Sequence, residues 1–508
     1  MGHAETLDAL LQHGSGAAPA FGTPGAPSLT YDALRALVGA TVQRLNRWGV
    51  GRNDRVAIVL PSGPQMAAAL CAVAAGATAA PLNPAYRADE FHFYLTDLQP
   101  KMLIVEASVP SPARSIATDI GVPIAEVRPE SHRGAGTFTL EALSANSCGA
   151  SAPGLAAADD VALVLHTSGT TSRPKIVPLT QRNITASARH IITALDLSAS
   201  DVCLNIMPLF HIHGLMAAVL STLGSGGHVV CPPAFNPLRF FEWMKETQPT
   251  WYTAVPSMHY AILARAERHA DAVAGSRLRF IRSSSAPLDP HLMTRVEQTF
   301  QAPVIESYGM TEASHQIASN PLPPRPRKAG SVGLPAGAEV AILDETGRPA
   351  PPEEIGEVVI RGPNVTPGYA DNPEANAAAY VDGWLRTGDQ GRLDRDGYLW
   401  LTGRLKELIN RGGEKVSPLE IEAVMRGHPH VQQVVAFAMP DASLGEEVAA
   451  AVVRVDGSDL TTRELRRFTA ERLADFKVPR RIVFVPELPK GVTGKVQRIG
   501  LAKTLGLV

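Results

Sequence analysis

The sequence predicts an α/β protein in which parallel strands are covered by helices, and three observations support this fold class. Short apolar runs alternate with helical stretches through the first four hundred residues, an arrangement typical of parallel sheets. The chain has 508 residues, and single hydrophobic cores stop growing near about 250 to 300 residues, so we expect at least two structural units. With 45% hydrophobic and 19% charged residues, the chain can bury a sizeable interior, which excludes disorder throughout.

Individual elements follow from the apolar runs and from the residues that end them. Residues 55–60 (RVAIVL), 101–105 (KMLIV) and 161–166 (VALVLH) are predicted to be buried strands, and residues 65–75 a helix. The most apolar run, residues 66–82, is rich in alanine, is interrupted by Gly76 and ends at Pro81. At 17 residues it is marginal for crossing a bilayer. We therefore interpret it as a buried helix and strand.

The composition and the hydrophobic pattern change in the second half of the chain. Residues 321–328 (PLPPRPRK) hold four prolines and three cations, which predicts an irregular surface loop. Residues 356–369 and 397–409 then show β-type runs with glycine turns, which indicates a small β-rich subdomain. From Arg404 onward, 17 Lys plus Arg face 13 Asp plus Glu, a balance of +4. This shift fits a small domain that closes over an anionic ligand, and it equally fits a solvated surface.

Charge and cysteine usage exclude several classes of protein. The 47 Lys plus Arg are matched by 49 Asp plus Glu, so neither nucleic acid nor a membrane surface is predicted as a partner. The four cysteines, at positions 71, 148, 203 and 231, have no CxxC spacing, and neither a disulfide framework nor a zinc site is expected. The first ten residues lack the basic and apolar regions of a signal peptide. We expect a cytoplasmic protein whose oligomeric state is open.

Residues 167–175 (TSGTTSRPK) are the most informative stretch, because hydroxyls, a glycine and a lysine follow a predicted strand directly. Backbone N–H groups and hydroxyls in such a turn can surround phosphate oxygens, and a lysine adds a point charge. The stretch is not a Walker A loop, which requires GxxxxGK[ST] and opens into a helix, whereas here Pro174 precedes the lysine. Taken alone, it fits either a phosphate loop or a polar surface turn.

Four further motifs follow in order, and together they carry a resemblance. They are residues 307–312 (SYGMTE), 386–389 (RTGD), 403–407 (GRLKE) and 489–495 (PKGVTGK). With the loop at 167–175, they resemble the signatures of the adenylate-forming acyl-CoA synthetase and luciferase superfamily. The resemblance implies a domain over residues 1–403 with two parallel α/β subdomains and a small β-barrel-like subdomain. It also implies a mobile α+β domain over residues 404–508, with its hinge at Lys406.

The superfamily joins a carboxylate to the α-phosphate of ATP, releases pyrophosphate, and then transfers the acyl group to a thiol. The resemblance implies ATP, Mg²⁺ and coenzyme A as partners, Lys495, His211 and Glu312 as catalytic residues, and Glu312 with Thr170 at the metal. Gly412 and Gly413 would let the CoA thiol arm approach the backbone closely. The implied nucleotide-binding residues are Thr167, Ser168, Gly169, Thr170, Thr171, Lys175, Ser285, Ala286, Pro287, Glu306, Ser307, Tyr308, Gly309, Met310, Thr311, Asp389, Arg404 and Lys495.

The acid-binding residues are predicted to be polar. His211, matched by a family histidine, is followed by His213, and a second additional histidine, His315, lies three residues beyond Glu312. Three serines, Ser283, Ser284 and Ser285, add hydroxyls to the same predicted pocket. Unpaired polar groups against a hydrocarbon chain cost about 1 to 3 kcal/mol each, so a small acid with a second anionic end fits better than a fatty acid. Oxalate is the simplest such acid, although both additional histidines also fit a structural role.

Similarity to individual subgroups of the superfamily also favours oxalate, and it leaves other acids and other reactions as alternatives. The segments FHIHGL, SSSAPL and YGMTEASHQIASNPLP resemble the oxalate–CoA ligases. Malonyl-CoA synthetases are similar at several of these segments but carry an arginine where Ser307 stands, a cation that Arg282 could replace. Medium-chain or aryl acyl-CoA synthetases, a luciferase-like oxygenase and an adenylation module that loads a carrier protein are the other readings. Ser172 and Ile176 occupy usual glycine positions, so the path of the phosphate loop is not assured by the resemblance.

Overall fold

The computed structural model describes residues 5–143, 149–167, 174–489 and 498–508. The chain divides into two compact units that are described separately below. The first unit comprises Met1–Thr167, Lys175–Val340 and Ile360–Leu385. The second is built mainly from Ala341–Val359 and Arg386–Val508.

A largely parallel sheet, called the first sheet, forms one core of the first unit. Its central strands are parallel and its edges antiparallel, as expected where helices cover both faces. In spatial order its strands are Leu334–Pro335, His315–Ser319, Val304–Met310, Phe280–Ser283, Trp251–Ala254, Val202–Asn205, His228–Val230, Pro19–Thr23 and Ala26–Thr30.

A second sheet of the same unit contains the three strands predicted from the sequence. The strand Val161–His166 has the predicted bounds, while the other two differ from the predicted bounds by one residue, because backbone pairing and not hydrophobicity sets where a strand ends. In spatial order the strands are Phe138–Ala142, Ile124–Pro129, Met102–Glu106, Arg55–Val59, Thr78–Pro81, Val161–His166 and Ile176–Thr180.

Helices of the first unit pack on these sheets and begin at sequence signals that satisfy their first N–H groups. Thr30 caps the helix Tyr31–Arg47 and Thr180 caps Gln181–Ala194, in each case by accepting from a backbone N–H with its side chain. The π-helical segment His213–Leu220 is fully buried. The other helices are Leu7–Leu11, Pro64–Ala74, Ala88–Leu98, Pro112–Asp119, Ser221–Gly224, Phe240–Thr247, Pro256–Ala266, Ala270–Ala274, Pro290–Phe300 and Pro373–Ala379.

The second unit contains an antiparallel strand pair and an α+β region. The strands Trp384–Leu393 and Leu399–Arg404 pair with Asp389 opposite Arg404. A separate sheet has the order Glu414–Val416, Ile409–Arg411, Gly445–Arg454 and Val431–Asp441, and Arg481–Phe484 pairs with Gly445–Arg454. The helices here are Pro418–Arg426, Thr462–Ala470 and Leu501–Thr504. Glu339–Leu343, Gly356–Arg361 and Tyr380–Val381 are further strands near the junctions between the units in the sequence.

The α/β prediction is confirmed, and so are two local predictions. The apolar run 66–82 forms parts of the buried helix Pro64–Ala74 and the strand Thr78–Pro81. Residues 321–328 contain neither helix nor strand. Within the described ranges, no helix combines the length and the apolarity that crossing a bilayer requires.

Candidate active site

Several residues that are predicted to bind the acid or the nucleotide lie at the carboxyl edge of the first sheet. Strands Trp251–Ala254, Phe280–Ser283 and Val304–Met310 are parallel neighbours, with Ser283 in register with Ala254 and with Glu306. Ligands bind outside the carboxyl ends of the strands in open sheets of this kind. The segment that follows Ser283 carries the predicted residues Ser284, Ser285, Ala286 and Pro287.

This segment, called the 284–288 loop, is bonded to the neighbouring strand at two points. Ser284 Oγ donates to the carbonyl of Ser307 at 2.9 Å, and the N–H of Leu288 donates to Glu306 Oε1 at 2.9 Å. Burial raises the pKa of Glu306 to about 8, so its carboxyl group is mostly protonated at neutral pH. Glu306 Oε2 has no hydrogen-bond partner among the described residues. Glu306 therefore anchors the loop mainly as a neutral acid.

Arg282 is the centre of a buried polar cluster that is bonded to the 284–288 loop through His213 and Ser285. Its side chain is fully buried, and its two terminal nitrogens lie 3.2 Å from His213 Nε2 and 3.0 Å from His315 Nε2. The second of these nitrogens also donates to Gln316 Oε1 at 3.1 Å. Burial lowers the pKa of Arg282 to about 9, which leaves it charged at neutral pH. In the described part of the chain, no carboxylate forms an ion pair with this buried cation.

The guanidinium fixes the proton positions on both imidazoles. An arginine nitrogen can only donate, so Nε2 of His213 and Nε2 of His315 must be acceptors, and each neutral ring carries its proton on Nδ1. The His213 Nδ1–H then donates to Ser285 Oγ at 3.0 Å. The two rings stack with centroids 4.9 Å apart. Both Nε2 atoms therefore face the guanidinium as acceptors, and Arg282 holds the two rings side by side.

Three residues with left-handed backbone surround this cluster. Ser285 has φ +70°, Ser314 has φ +47° and His315 has φ +86°. Such conformations cost energy for residues with a side chain and persist only where the surroundings impose them. A Cβ atom on Gly309 would lie 1.4 Å from the carbonyl oxygen of His315, so the glycine is required for the close approach of these strands. The strained backbone places the imidazole of His315 in hydrogen-bond contact with Arg282.

The phosphate-loop candidate connects two antiparallel strands. His166 pairs with Ile176, and the N–H of Thr167 donates to the carbonyl of Lys175 at 2.9 Å. The N–H of Lys175 donates in turn to Thr167 Oγ1 at 3.2 Å. The loop thus leads into a strand and not into a helix, as expected for a loop that is not of the Walker A type. Ser168, Gly169, Thr170 and Thr171 lie outside the described residues.

Glu312 lies in the short turn Thr311–Ala313, just after the strand that carries Tyr308, Gly309 and Met310. It is 7% exposed, and its Oε1 accepts from the hydroxyl of Tyr369 at 2.9 Å. The described residues contain no group of three or more His, Cys, Asp or Glu that could hold a metal ion. A single carboxylate nevertheless fits Mg²⁺, which keeps several waters and binds one or two carboxylates together with substrate phosphates.

His211 lies in the turn before the π-helical segment, and its Nδ1 accepts from the N–H of His213 at 3.3 Å. An apolar cavity of about 300 Å³ in the first unit is lined by the adjacent Phe210. Other lining residues include Gly63, Met207, Pro233 and Phe235. The cavity was not predicted from the sequence, because its walls come from five separate segments of the chain.

In the second unit, Asp389 and Arg404, two of the predicted nucleotide-binding residues, form a pair. Arg404 Nε donates to Asp389 Oδ1 at 3.1 Å, and the two residues are directly opposite on paired strands. Gly388 has φ +72°, a left-handed conformation that suits glycine, at the residue before this carboxylate. The pair is therefore prearranged within its own unit, and its role with a nucleotide stays a prediction.

The remaining predicted residues also belong to the second unit. Lys406 is exposed in the short turn Leu405–Glu407. Gly412 and Gly413 form a two-residue turn with φ +60° and +95° between paired strands, a conformation that by itself accounts for two glycines. Lys495 lies outside the described residues. The hinge, the CoA contacts and the catalytic lysine stay predictions.

Sequence reasoning missed Thr253, Gln316 and Tyr369, and it named Arg282 only as a possible replacement cation. Thr253 Oγ1 lies 2.6 Å from His213 Nε2 and completes the pocket. Arg282 follows the apolar residues Phe280 and Ile281 in a buried strand, and a charge at such a position is a signal that could have found it. No comparable signal exists for Tyr369, because its partners lie far away in the sequence.

Comparison with protein families gives two matches along the chain. The family described as AMP-binding enzyme matches residues 12–370. The AMP-binding enzyme C-terminal domain matches residues 420–495.

Individual proteins resemble the chain over nearly its whole length. It is 45% identical over 503 residues to the oxalate–CoA ligase of Arabidopsis thaliana, and the match covers 97% of each of the two chains. It is 41% identical over 478 residues to the oxalate–CoA ligase of Saccharomyces cerevisiae, covering 90% of this chain and 87% of the yeast protein. The crystal structure of ATP-bound MatB from Rhodopseudomonas palustris superposes with a TM-score of 0.88 at 30% identity, covering 98% of each chain.

Proposed function

The chain belongs to the AMP-binding enzyme family and is an AMP-forming acyl-CoA synthetase, and from that premise we propose that its acid is oxalate. In the first step a carboxylate oxygen bonds to the α-phosphorus of ATP, and pyrophosphate leaves with the electrons of the broken bond. In the second step the CoA sulfur, as thiolate, bonds to the activated carbonyl carbon and AMP leaves. The products are oxalyl-CoA, AMP and pyrophosphate.

The buried cation Arg282 is the observation that carries the choice of acid. Its charge is fully removed from water, and the described residues supply neutral hydrogen-bond acceptors but no anion. An unpaired buried charge is costly, and a nearby anion offsets that cost. When one carboxylate of oxalate reacts, the other stays ionised and supplies the missing negative charge. After a monocarboxylate has reacted, no second carboxylate is left to serve as the anionic partner of Arg282.

The rest of the pocket also favours a short, polar acid. His213, His315 and Ser285 form one hydrogen-bonded group around Arg282. Ser283 Oγ and Ser314 Oγ are buried and have no hydrogen-bond partner among the described residues. Packing a hydrocarbon chain against unpaired polar atoms costs about 1 to 3 kcal/mol for each of them. Malonate is the principal competitor, because it also keeps a second carboxylate after activation.

The nucleotide is assigned to the residues that the motifs single out. Thr167 and Lys175 would hold the triphosphate from the base of the loop, and Asp389 with Arg404 would hold the ribose. Glu312 would bind Mg²⁺, which would neutralise part of the charge of the triphosphate. Lys495 would approach the carboxylate and the α-phosphate as a mobile cation. Catalysis of phosphoryl transfer is mostly positioning and charge stabilisation, which these residue types can supply.

Coenzyme A requires a second arrangement of the same protein. The domain 404–508 would rotate about Lys406, which would withdraw Lys495 and bring Gly412 and Gly413 towards the thiol arm. The apolar cavity beside Phe210 has a volume, about 300 Å³, that suits part of a narrow pantetheine chain.

Three buried free cysteines, Cys71, Cys203 and Cys231, support a reducing cytoplasmic location for the protein.

The direct test is CoA-dependent AMP formation with oxalate, malonate, succinate, acetate, octanoate and coumarate at matched concentrations. We expect kcat/KM for oxalate to exceed that for each other acid by at least about tenfold, the effect of about 1.4 kcal/mol. A preference for octanoate or coumarate would refute the small polar pocket. A preference for malonate would keep the pairing with Arg282 and refute oxalate.

A further inference from the structure

Tyr369 contacts two of the predicted nucleotide-site residues at once. Its hydroxyl donates to Glu312 Oε1 at 2.9 Å. The ammonium nitrogen of Lys175 lies 4.4 Å from the centroid of its ring, within the range of a cation–π interaction. One side chain therefore connects the predicted metal-binding carboxylate with the predicted phosphate-binding cation.

The backbone of Tyr369 is held by a side-chain clamp. Asn376 Oδ1 accepts from the Tyr369 N–H at 2.7 Å, and Asn376 Nδ2 donates to the Tyr369 carbonyl at 2.9 Å. A Cβ atom on Gly368 would lie 2.9 Å from Asn376 Oδ1, and the glycine has φ +149°. The clamp thus needs the neighbouring glycine, and together they fix where the phenol ring stands.

The segment 366–370 is bonded to both parts of the site that Tyr369 touches. The N–H of Thr366 donates to the carbonyl of Glu312 at 2.7 Å. The N–H of Ala370 donates to the carbonyl of Ile176, the residue after Lys175, at 3.0 Å. The backbone of this segment is therefore bonded to Glu312 itself and to the residue that follows Lys175.

The two contacts of Tyr369 differ in what they do to charge. A phenol that donates to a carboxylate orients it and leaves it ionised, so it can still bind a cation. An aromatic face attracts an ammonium without neutralising it, whereas a carboxylate in the same place would cancel its charge. Lys175 therefore keeps its full charge for a phosphate.

We propose that Tyr369 is a positioning residue for adenylation, which sets the Glu312 carboxylate and the Lys175 ammonium in register for a metal-bound triphosphate. This inference rests on the proposed function for the roles of Glu312 and Lys175. Tyr369 touches neither substrate nor metal in this assignment, and it acts through the two residues that do.

The test compares Tyr369→Phe, which keeps the ring, with Tyr369→Leu, which removes ring and hydroxyl. Tyr380→Phe is the matched control, because the Tyr380 hydroxyl donates to the backbone carbonyl of Thr366 in the same segment. Three quantities are measured: the Mg²⁺ concentration for half-maximal pyrophosphate release, the dissociation constant of ATP by calorimetry with Mg²⁺ or with EDTA, and CoA transfer from supplied acyl-AMP.

For Tyr369→Phe we expect the Mg²⁺ requirement to rise about tenfold, the lower end for a lost hydrogen bond to a charged group. ATP binding in EDTA should change less than about twofold, because the ring still holds Lys175. Tyr369→Leu should weaken ATP binding in EDTA as well. Transfer from acyl-AMP should be unchanged in both variants, and Tyr380→Phe should resemble the wild type throughout.

Two results would overturn the inference. One is an unchanged Mg²⁺ requirement in Tyr369→Phe, and the other is an equal loss of adenylation and CoA transfer, which a merely structural residue would produce. Calorimetry with ATP needs no acid, so the result stands even when oxalate proves to be the wrong acid. Failure of the wild-type protein to bind ATP would instead refute the proposed function.

Discussion

Replacing Arg282 by methionine tests whether charge in the acid pocket selects the substrate. Methionine is unbranched and flexible, so it can fill much of the space that the arginine stem occupies. The substitution removes the donor shared by His213, His315 and Gln316, and it removes the cation that we pair with the second carboxylate of oxalate. Acetate, which has no second carboxylate, serves as the matched substrate.

The expected loss follows from the electrostatics of a buried pair. Two unit charges about 4 Å apart attract by about 4 kcal/mol at an effective dielectric constant of about 20. Because oxalate gives up water on binding, we expect about 3 kcal/mol to remain, which is a fall of more than about 100-fold in kcat/KM for oxalate. For acetate the same value should change less than about threefold. The variant therefore loses selectivity more than it loses catalysis.

Stability separates this result from simple misfolding. Removing a desolvated cation relieves a cost of several kcal/mol, while three acceptors lose a donor at about 1 to 3 kcal/mol each. The two contributions largely cancel, so the free energy of unfolding should shift by less than about 2 kcal/mol.

The matched variant is Arg279→Met, which replaces an arginine three residues before Arg282. Arg279 pairs with Asp201, whose side chain is 1% exposed, at 2.8 Å. Breaking that pair leaves a buried carboxylate that keeps the neutral donors Thr250 and Ser198 but loses its cation, so it should lower stability. The ratio of oxalate to acetate activity should stay at the wild-type value.

The assay is AMP formation against acid concentration for both substrates, with thermal unfolding of each variant. Equal losses for oxalate and acetate in Arg282→Met would refute the pairing of Arg282 with a second carboxylate. A loss of selectivity in Arg279→Met would show that general damage to the sheet is sufficient.

Three further predictions concern other residues of the site. Between the ordinary glutamate pKa of 4.5 and the raised value of about 8 for Glu306, the folded state holds a proton that the unfolded state has lost. Stability should therefore fall with rising pH across this range, by up to about 1.4 kcal/mol per pH unit, and Glu306→Gln should remove that part of the slope in denaturant unfolding. Lys495→Ala should abolish pyrophosphate release from acid and ATP and spare CoA transfer from supplied acyl-AMP; equal losses in the two assays would contradict the two-state assignment. Lys406→Pro should spare pyrophosphate release and slow CoA transfer, and an unchanged overall rate would remove Lys406 as the pivot.

Local patterns were sufficient for much of the fold. The strand Val161–His166 follows from a short apolar run, and the helix Pro64–Ala74 follows from the alanine-rich run that Gly76 interrupts. The sequence also predicted one pocket of histidines and serines, and the structure joins His213, Ser285 and His315 around Arg282, while their role in binding the acid stays a prediction. Each of these follows from residues that are close in the sequence, or from strands whose carboxyl ends meet.

Contacts between distant segments were beyond such patterns. Tyr369 meets Glu312 across 57 positions of the chain, and nothing in the run that ends at Tyr369 indicates which residue its hydroxyl will reach. The left-handed backbone of Ser314 and His315 was equally hidden, because neither residue type predicts positive φ. These conformations are imposed by pairing with the strand that contains Gly309.

The close approach at Gly309 has a bearing on redesign of the pocket. No side chain fits between this position and the carbonyl of His315, so the backbone that presents residue 315 survives only while position 309 stays glycine. A protein engineer who wants a longer or less polar acid can vary the side chains of residues 213 and 315 within the buried space that they occupy. In a library that randomises all three positions, functional clones should retain glycine at 309 whichever acid is selected.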